Sequence, residues 1–217
     1  MSGSFVTPET RAKVRAMVVP IALAFGKVGL TPNALTLIGF GIAIVAALAA
    51  AAQLWLLAGI LVVFGGVFDL FDGALARAMG MAGPLGAFMD SVFDRWGEGV
   101  IYVGIAWGCV AAGFGAGAVW AAAAMTSAFM VSYARASSER EGFTPGKGMA
   151  AVGLAPREIR VVILTVGLIL VALTGGVSPA TNNPVMVGTL GLITVLATIT
   201  VIQRTLHVIG QSKKEHE

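Results

Sequence analysis

Long apolar runs alternate with short polar breaks along most of this chain. A bilayer crossing takes about 20 mostly apolar residues. Six runs meet that length, at roughly 33–53, 54–78, 85–113, 116–136, 157–176 and 184–209. Turn residues fill the breaks. Gly80, Gly83 and Pro84 part the second run from the third, and Gly113, Gly115 and Gly117 part the third from the fourth. Gly175, Gly176, Ser178, Pro179, Asn182, Asn183 and Pro184 part the fifth from the sixth. Ahead of the first run, residues 8–28 are apolar but interrupted by Arg11, Lys13, Arg15 and Lys27. No small-residue cleavage site follows a clean apolar core, so this segment reads as an amphipathic helix on the membrane surface rather than a signal peptide. An ordinary packed helix is the plainer reading of the same pattern. The expected fold class is an all-α integral membrane protein with six transmembrane helices and an N-terminal amphipathic surface helix. Residues 1–32 form the juxtamembrane segment, 33–209 the six-helix domain and 210–217 a cytoplasmic tail.

Composition agrees. The 217 residues are 57% hydrophobic and only 12% charged, whereas a soluble domain carries about 25% charged residues. The placement of the 14 Lys and Arg residues says more than the net charge of +3. Four precede the first run. Arg77 and Arg95 flank the break between the second and third, and Arg135, Arg140, Lys147, Arg157 and Arg160 surround the break between the fourth and fifth. Arg204, Lys213 and Lys214 fall at the C-terminal end. With six crossings all of them land on one face, which the positive-inside rule makes cytoplasmic, with both termini there. Five or seven crossings would put basic clusters on both faces. No nucleic-acid partner is expected. Cys109 stands alone and reads as a small apolar residue. His207 and His216 have no metal-ligand spacing.

Four aspartates break the apolar pattern: Asp69, Asp72, Asp90 and Asp94. A charge near the centre of a crossing costs at least about 2.5 kcal/mol. Spacings of three and four put each pair on one helix face. The short break at 80–84 makes the two helices antiparallel neighbours, so the four carboxylates converge in the cytoplasmic third of the bilayer. Asp69 or Asp94 alone could be satisfied by an ion pair with Arg77 or Arg95. All four outnumber those partners and call for cations. Carboxylates suit hard divalent ions, Mg²⁺ or Mn²⁺, and two such ions can clamp the attacking and leaving oxygens of a phosphoryl displacement. Gly73, Ala76 and Gly86 leave backbone open to a ligand, or to a neighbouring helix. Thr31 or Asn33 caps the first crossing, and Pro32 suits a helix start.

Residues 69–94 run DLFDGALARAMGMAGPLGAFMDSVFD. This resembles the CDP-alcohol phosphotransferase signature, D-x2-D-G-x2-A-R-x8-G-x3-D-x3-D, with Asp69, Asp72, Gly73, Ala76, Arg77, Gly86, Asp90 and Asp94 at its fixed positions. The resemblance implies an enzyme that moves a substituted phosphoryl group from a CDP-lipid, such as CDP-diacylglycerol, to an alcohol with release of CMP. It implies two divalent metal ions held by Asp69, Asp72 and Asp90, with Asp94 contributing, and Asp94 as the base that deprotonates the acceptor. Gly73, Ala76 and Arg77 would seat the CDP group alongside Asn33, Asp69 and Asp72, and a homodimer is implied too.

The stretches SYARASSEREG at 132–142, PREIR at 156–160 and VIQR at 201–204 are similar to the phosphatidylinositol-phosphate synthase branch of that family. By that likeness Arg135, Arg157, Arg160 and Arg204 bind the acceptor's phosphate, with inositol 1-phosphate as acceptor; plain positive-inside anchoring is the alternative. Glycerol 3-phosphate would use the same arginines, and an ether-linked donor is open. Arg140 and Lys147 read as solvated loop cations. A divalent-cation transporter would also hold intramembrane aspartates, but it would need polar sites reaching the outer side. The outer connections contain no Lys, Arg, Asp or Glu.

Overall fold

The computed structural model describes residues 8–143, 152–177 and 183–215, all of its regular elements being helices. They are α1 (Pro8–Lys27), α2 (Pro32–Ala51), α3 (Trp55–Ala78), α4 (Pro84–Ala111), α5 (Gly115–Arg140), α6 (Arg157–Leu173) and α7 (Pro184–Glu215). The six expected runs are α2 to α7, each beginning within about one residue of its expected start. The ends differ more. Residues 210–215, read as a tail, continue α7, and α5 runs on to Arg140. Lys147, His216, Ser178, Pro179 and Asn182 lie outside the described residues, as do the side chains of Arg11, Lys13 and Arg15.

Local chemistry sets the boundaries. The Thr31 hydroxyl accepts from the Ala34 N–H at 3.2 Å, with Pro32 at the first helical position of α2. At α7 the Asn183 side-chain oxygen accepts from the N–H groups of Val185 and Met186, both at 3.1 Å. Capping side chains satisfy amides that have no partner within the helix. Gly113 and Gly175 sit just past α4 and α6 at φ 75° and 90°, in the left-handed conformation that ends a helix most cheaply with glycine.

The helices pack in a closed ring: α2 touches α3, α3 touches α6, α6 touches α7, α7 touches α5, α5 touches α4 and α4 returns to α2. An apolar core of Ala46, Trp55, Ile105, Ala121, Leu168 and Leu190, among others, fills the end away from the aspartates. Cys109 is buried in it. The α2–α4 contact is close because Gly104 and Gly108 lie against the backbone of Ala47 and Ala50; a Cβ at either would overlap it. The GxxxG pair therefore serves packing within the chain. Helix α1 docks outside the ring on α3, where Ala22 and Phe25 pack on Phe71, Leu75 and Phe68. Its other side leaves Met17 and Ile21 exposed.

Four helices are long and apolar enough to cross a membrane: α2, α3, α5 and α7. The other two ring members, α4 and α6, carry Asp90, Asp94, Arg95, Glu98, Arg157, Glu158 and Arg160.

Candidate active site

The aspartates converge. One carboxylate oxygen each from Asp69 and Asp72 on α3 and Asp90 on α4 lie within 4.8 Å of one another. Asp72 is buried at 4% exposure. Its carboxylate accepts from the Thr36 hydroxyl at 2.6 Å and from the Gly73 N–H. Thr36 sits one turn into α2, where its hydroxyl also reaches the Pro32 carbonyl at 3.2 Å. It was not singled out by sequence, although a lone hydroxyl at the polar end of an apolar helix was the available sign. Three convergent carboxylates offer an all-oxygen ligand set of the kind Mg²⁺ and Mn²⁺ take.

Asp94, one turn beyond Asp90, stands outside that trio. Its carboxylate accepts from Arg157 at 2.9 Å and from Arg95 at 3.3 Å. The same Arg157 nitrogen also donates to Asp69 at 2.6 Å. An arginine from α6 thus bridges α3 and α4 at the aspartates, while its Nε has no partner among the described residues.

The four arginines expected around an acceptor all line one polar cavity of about 370 Å³, together with Asp69, Asp90, Ser91, Asp94, Arg95 and Ser132. They are not equivalent within it. Arg135 is 43% exposed and pairs with Glu139 one turn on, at 2.9 Å. Arg157 is partly exposed. Arg160 is 1% exposed and each of its nitrogens has a partner: Nε and Nη2 donate to the two carboxylate oxygens of Glu98 at 2.8 and 2.7 Å, and Nη1 donates to the Ala155 carbonyl at 2.9 Å. Arg204 donates to the carbonyls of Val152 and Val131. Arg140 pairs with its neighbour Glu141 at the surface. Glu98 was also missed from sequence, although it continues the Asp90–Asp94 face by another turn.

Two further cavities meet the same aspartates. One is lined by Asn33, Thr36, Asp72, Gly73, Ala76, Arg77, Gly86 and Asp90. A Cβ on Gly73 would meet only the Arg77 guanidinium, at 3.2 Å, so the α3 backbone is bare on this side. The other is mainly apolar, about 380 Å³, and runs from Asp69, Asp72 and Asp94 between Phe40, Leu61, Leu70, Phe93, Val161 and Val162. Asp90 is shared by the arginine-lined cavity and the one over Gly73.

The family model for CDP-alcohol phosphatidyltransferase matches residues 29–208. The archaetidylinositol phosphate synthase of Pyrococcus horikoshii is 34% identical over 198 residues, covering 90% of this chain and 93% of its own. The phosphatidylinositol phosphate synthase of Mycobacteroides abscessus is 33% identical over 174 residues, 78% of this chain and 74% of its own. Among solved structures, the Mycobacterium tuberculosis phosphatidylinositol phosphate synthase with CDP-DAG bound superposes with a TM-score of 0.76 at 26% identity, covering 89% of this chain and 94% of that one. The same enzyme in complex with manganese and citrate gives a TM-score of 0.75 at 26% identity, covering 88% of each chain. With the match spanning α2 to α7 and the whole aspartate site, the chain belongs to the CDP-alcohol phosphatidyltransferase family of integral membrane transferases.

Proposed function

We propose that the protein transfers a phosphatidyl-type group from a CDP-activated lipid to inositol 1-phosphate and releases CMP. The carrying observation is the shared aspartate wall: of three cavities, one arginine-lined and polar, one over bare α3 backbone and one mainly apolar, each of Asp69, Asp72, Asp90 and Asp94 lines two. A lipid donor with a charged head and a small phosphorylated acceptor require that juxtaposition. The named products of the relatives differ in their lipid part and share inositol phosphate, which supports this acceptor.

In this reading the CDP head lies over Gly73, Ala76 and Arg77, with Asn33 across the cavity on α2, and the donor's hydrocarbon follows the apolar cavity. Asp69, Asp72 and Asp90 would hold the divalent ions, which when bound would neutralise phosphate charge. Asp94 takes the proton of the acceptor hydroxyl. The acceptor oxygen bonds to the lipid-bearing phosphorus, the bond from that phosphorus to the CMP oxygen breaks, and its electron pair leaves with CMP. Arg157 and Arg135 engage the acceptor phosphate through the guanidinium groups that line the polar cavity, Arg135 by leaving Glu139. Guanidinium forks suit phosphate. Arg160 and Arg204 form the wall behind them.

The test is an acceptor panel. CDP-diacylglycerol or its ether-linked counterpart is supplied with Mg²⁺ or Mn²⁺ and each acceptor in turn, and CMP release is measured. Release is expected with inositol 1-phosphate. Release with glycerol 3-phosphate and none with inositol 1-phosphate would overturn this choice.

We further propose that all six ring helices cross the cell membrane, with both termini and the aspartate site on the cytoplasmic side and α1 on that surface. The charges of α4 end at Glu98 and those of α6 at Arg160, leaving apolar remainders. Single cysteines placed at Gly115 and at Glu141, in a Cys109→Ala background, report the sidedness. A membrane-impermeant thiol reagent added outside cells is expected to label position 115 only. Labelling of position 141 from outside would rule the topology out.

A further inference from the structure

Helices α4 and α6 are not neighbours in the ring, yet two ion pairs join them across its interior. Asp94 meets Arg157 at 2.9 Å, and Glu98 meets Arg160 at 2.7 Å. The two acids are one turn apart on α4 and the two arginines one turn apart on α6, so the pairs stack as two rungs. The outer rung borders the polar cavity, with side chains 12% and 26% exposed. The inner rung is sealed, with Glu98 4% and Arg160 1% exposed.

We propose that Glu98 is a positioning residue: its carboxylate fixes Arg160, and with it the rotation of α6, so that Arg157 is delivered to Asp69 and Asp94. The proposal rests on the reading that Arg157 engages the acceptor phosphate. Three features carry it. The Glu98–Arg160 contact is a two-point fork, at 2.8 and 2.7 Å, and therefore directional. The closest contacts of α6, Gly167 against Thr189 of α7 and Leu168 and Ile169 against Gly59 of α3, lie about two turns or more beyond Arg160, so the fork is the sealed directional contact at the end that carries the arginines. Finally, the chain just before α6 is already latched in position by α7. The Thr200 hydroxyl accepts from the N–H groups of Leu154 and Ala155 at 3.1 and 2.9 Å, and Arg204 donates to the Val152 carbonyl at 3.0 Å. The latch fixes where α6 begins; the fork fixes which way it faces. A sealed ion pair is a weak source of net stability, since an apolar pair of similar volume often does as well.

The contrast supplies the test. The full-length double variant Glu98→Met/Arg160→Met and the single variant Arg160→Lys, which keeps the charge but loses the fork, are purified in the same way as the unaltered protein. Each is measured with whichever phosphorylated acceptor the unaltered protein turns over, so that an error in naming the acceptor is read separately. The expected result for the double variant is unfolding within a few degrees of the unaltered protein. Its acceptor KM should rise about tenfold or more, with kcat and the CDP-lipid KM within about twofold, the pattern of lost acceptor binding. Arg160→Lys should fall between. An unchanged acceptor KM in either folded variant overturns the proposal. Failure of the double variant to fold also overturns it, because the pair would then be holding the fold together rather than setting its register.

Discussion

Replacing Asp94 by Asn is expected to slow CMP release by about a thousandfold, the middle of the range that a positioned base contributes, while leaving CDP and metal-ion binding intact. The variant keeps the size of the side chain and an oxygen that can accept from Arg157 at the position now 2.9 Å away. What it loses is the ability to take a proton. Its neighbours make the test selective. Asp69, Asp72 and Asp90 form the trio of carboxylates within 4.8 Å, without Asp94, so an ion held by the trio keeps its ligands. Asp94 lines the arginine-rich cavity, where the acceptor hydroxyl would stand, without belonging to the trio. Turnover is followed as CMP release, and binding as the protection that CDP with Mn²⁺ gives against heating. A loss smaller than about tenfold would remove Asp94 from the base role. A large loss of turnover accompanied by loss of protection would make it chiefly an ion ligand.

The part of this site legible in the sequence is the part that lies within one helix or across one short connection. Asp69 with Asp72, and Asp90 with Asp94, are placed by helical spacing, and the short Gly80–Pro84 break keeps the two helix ends near enough for the carboxylates to meet, although α3 and α4 each pack on α2 rather than on one another as the short break suggests. The helix positions are legible for a related reason: apolar length and the Gly and Pro residues at each break are local signals. What spacing cannot supply is which faces meet across the ring. Arg157 lies 88 residues from Asp69, and Arg160 lies 62 from Glu98, and a positive-inside reading assigns both arginines to the same membrane face without distinguishing them. The structure separates a partly exposed arginine at the aspartates from a sealed one behind it. Glu98 escaped notice because the four aspartates already formed a self-sufficient set, and Thr36 because hydroxyls are common at helix starts. The apolar criterion for a crossing picks out α2, α3, α5 and α7 for a physical reason too. It passes over α4, which bears Asp90, Asp94, Arg95 and Glu98, and α6, which is 17 residues long and bears Arg157, Glu158 and Arg160.

Asp90→Asn should abolish the protein's stabilisation by divalent ions. The unaltered protein is expected to melt at higher temperature with Mg²⁺ or Mn²⁺ than with a chelator, since an ion that binds only the folded state stabilises it by about 2.7 kcal/mol at a hundred times its Kd. Asp90 is the ligand best suited to this test. Asp72 is tied to Thr36 and the Gly73 amide, and Asp69 to Arg157, so replacing either also breaks a protein contact. Asp90 forms no ion pair among the described residues, yet lies with its oxygen near those of two other carboxylates. Without an ion its charge is opposed by like charges in a poorly solvated place, where such repulsion is strong. Removing that charge relieves repulsion in the ion-free protein and removes a ligand in the ion-bound one. The variant should therefore melt at or above the unaltered protein in chelator, and should gain little or nothing from saturating Mn²⁺. Thermal unfolding in detergent, with chelator and with Mn²⁺, measures both arms. A variant that gains as much from Mn²⁺ as the unaltered protein would show that Asp90 holds no ion. A variant that also melts well below it in chelator would make the aspartate a structural group, its carboxylate satisfied by the fold itself.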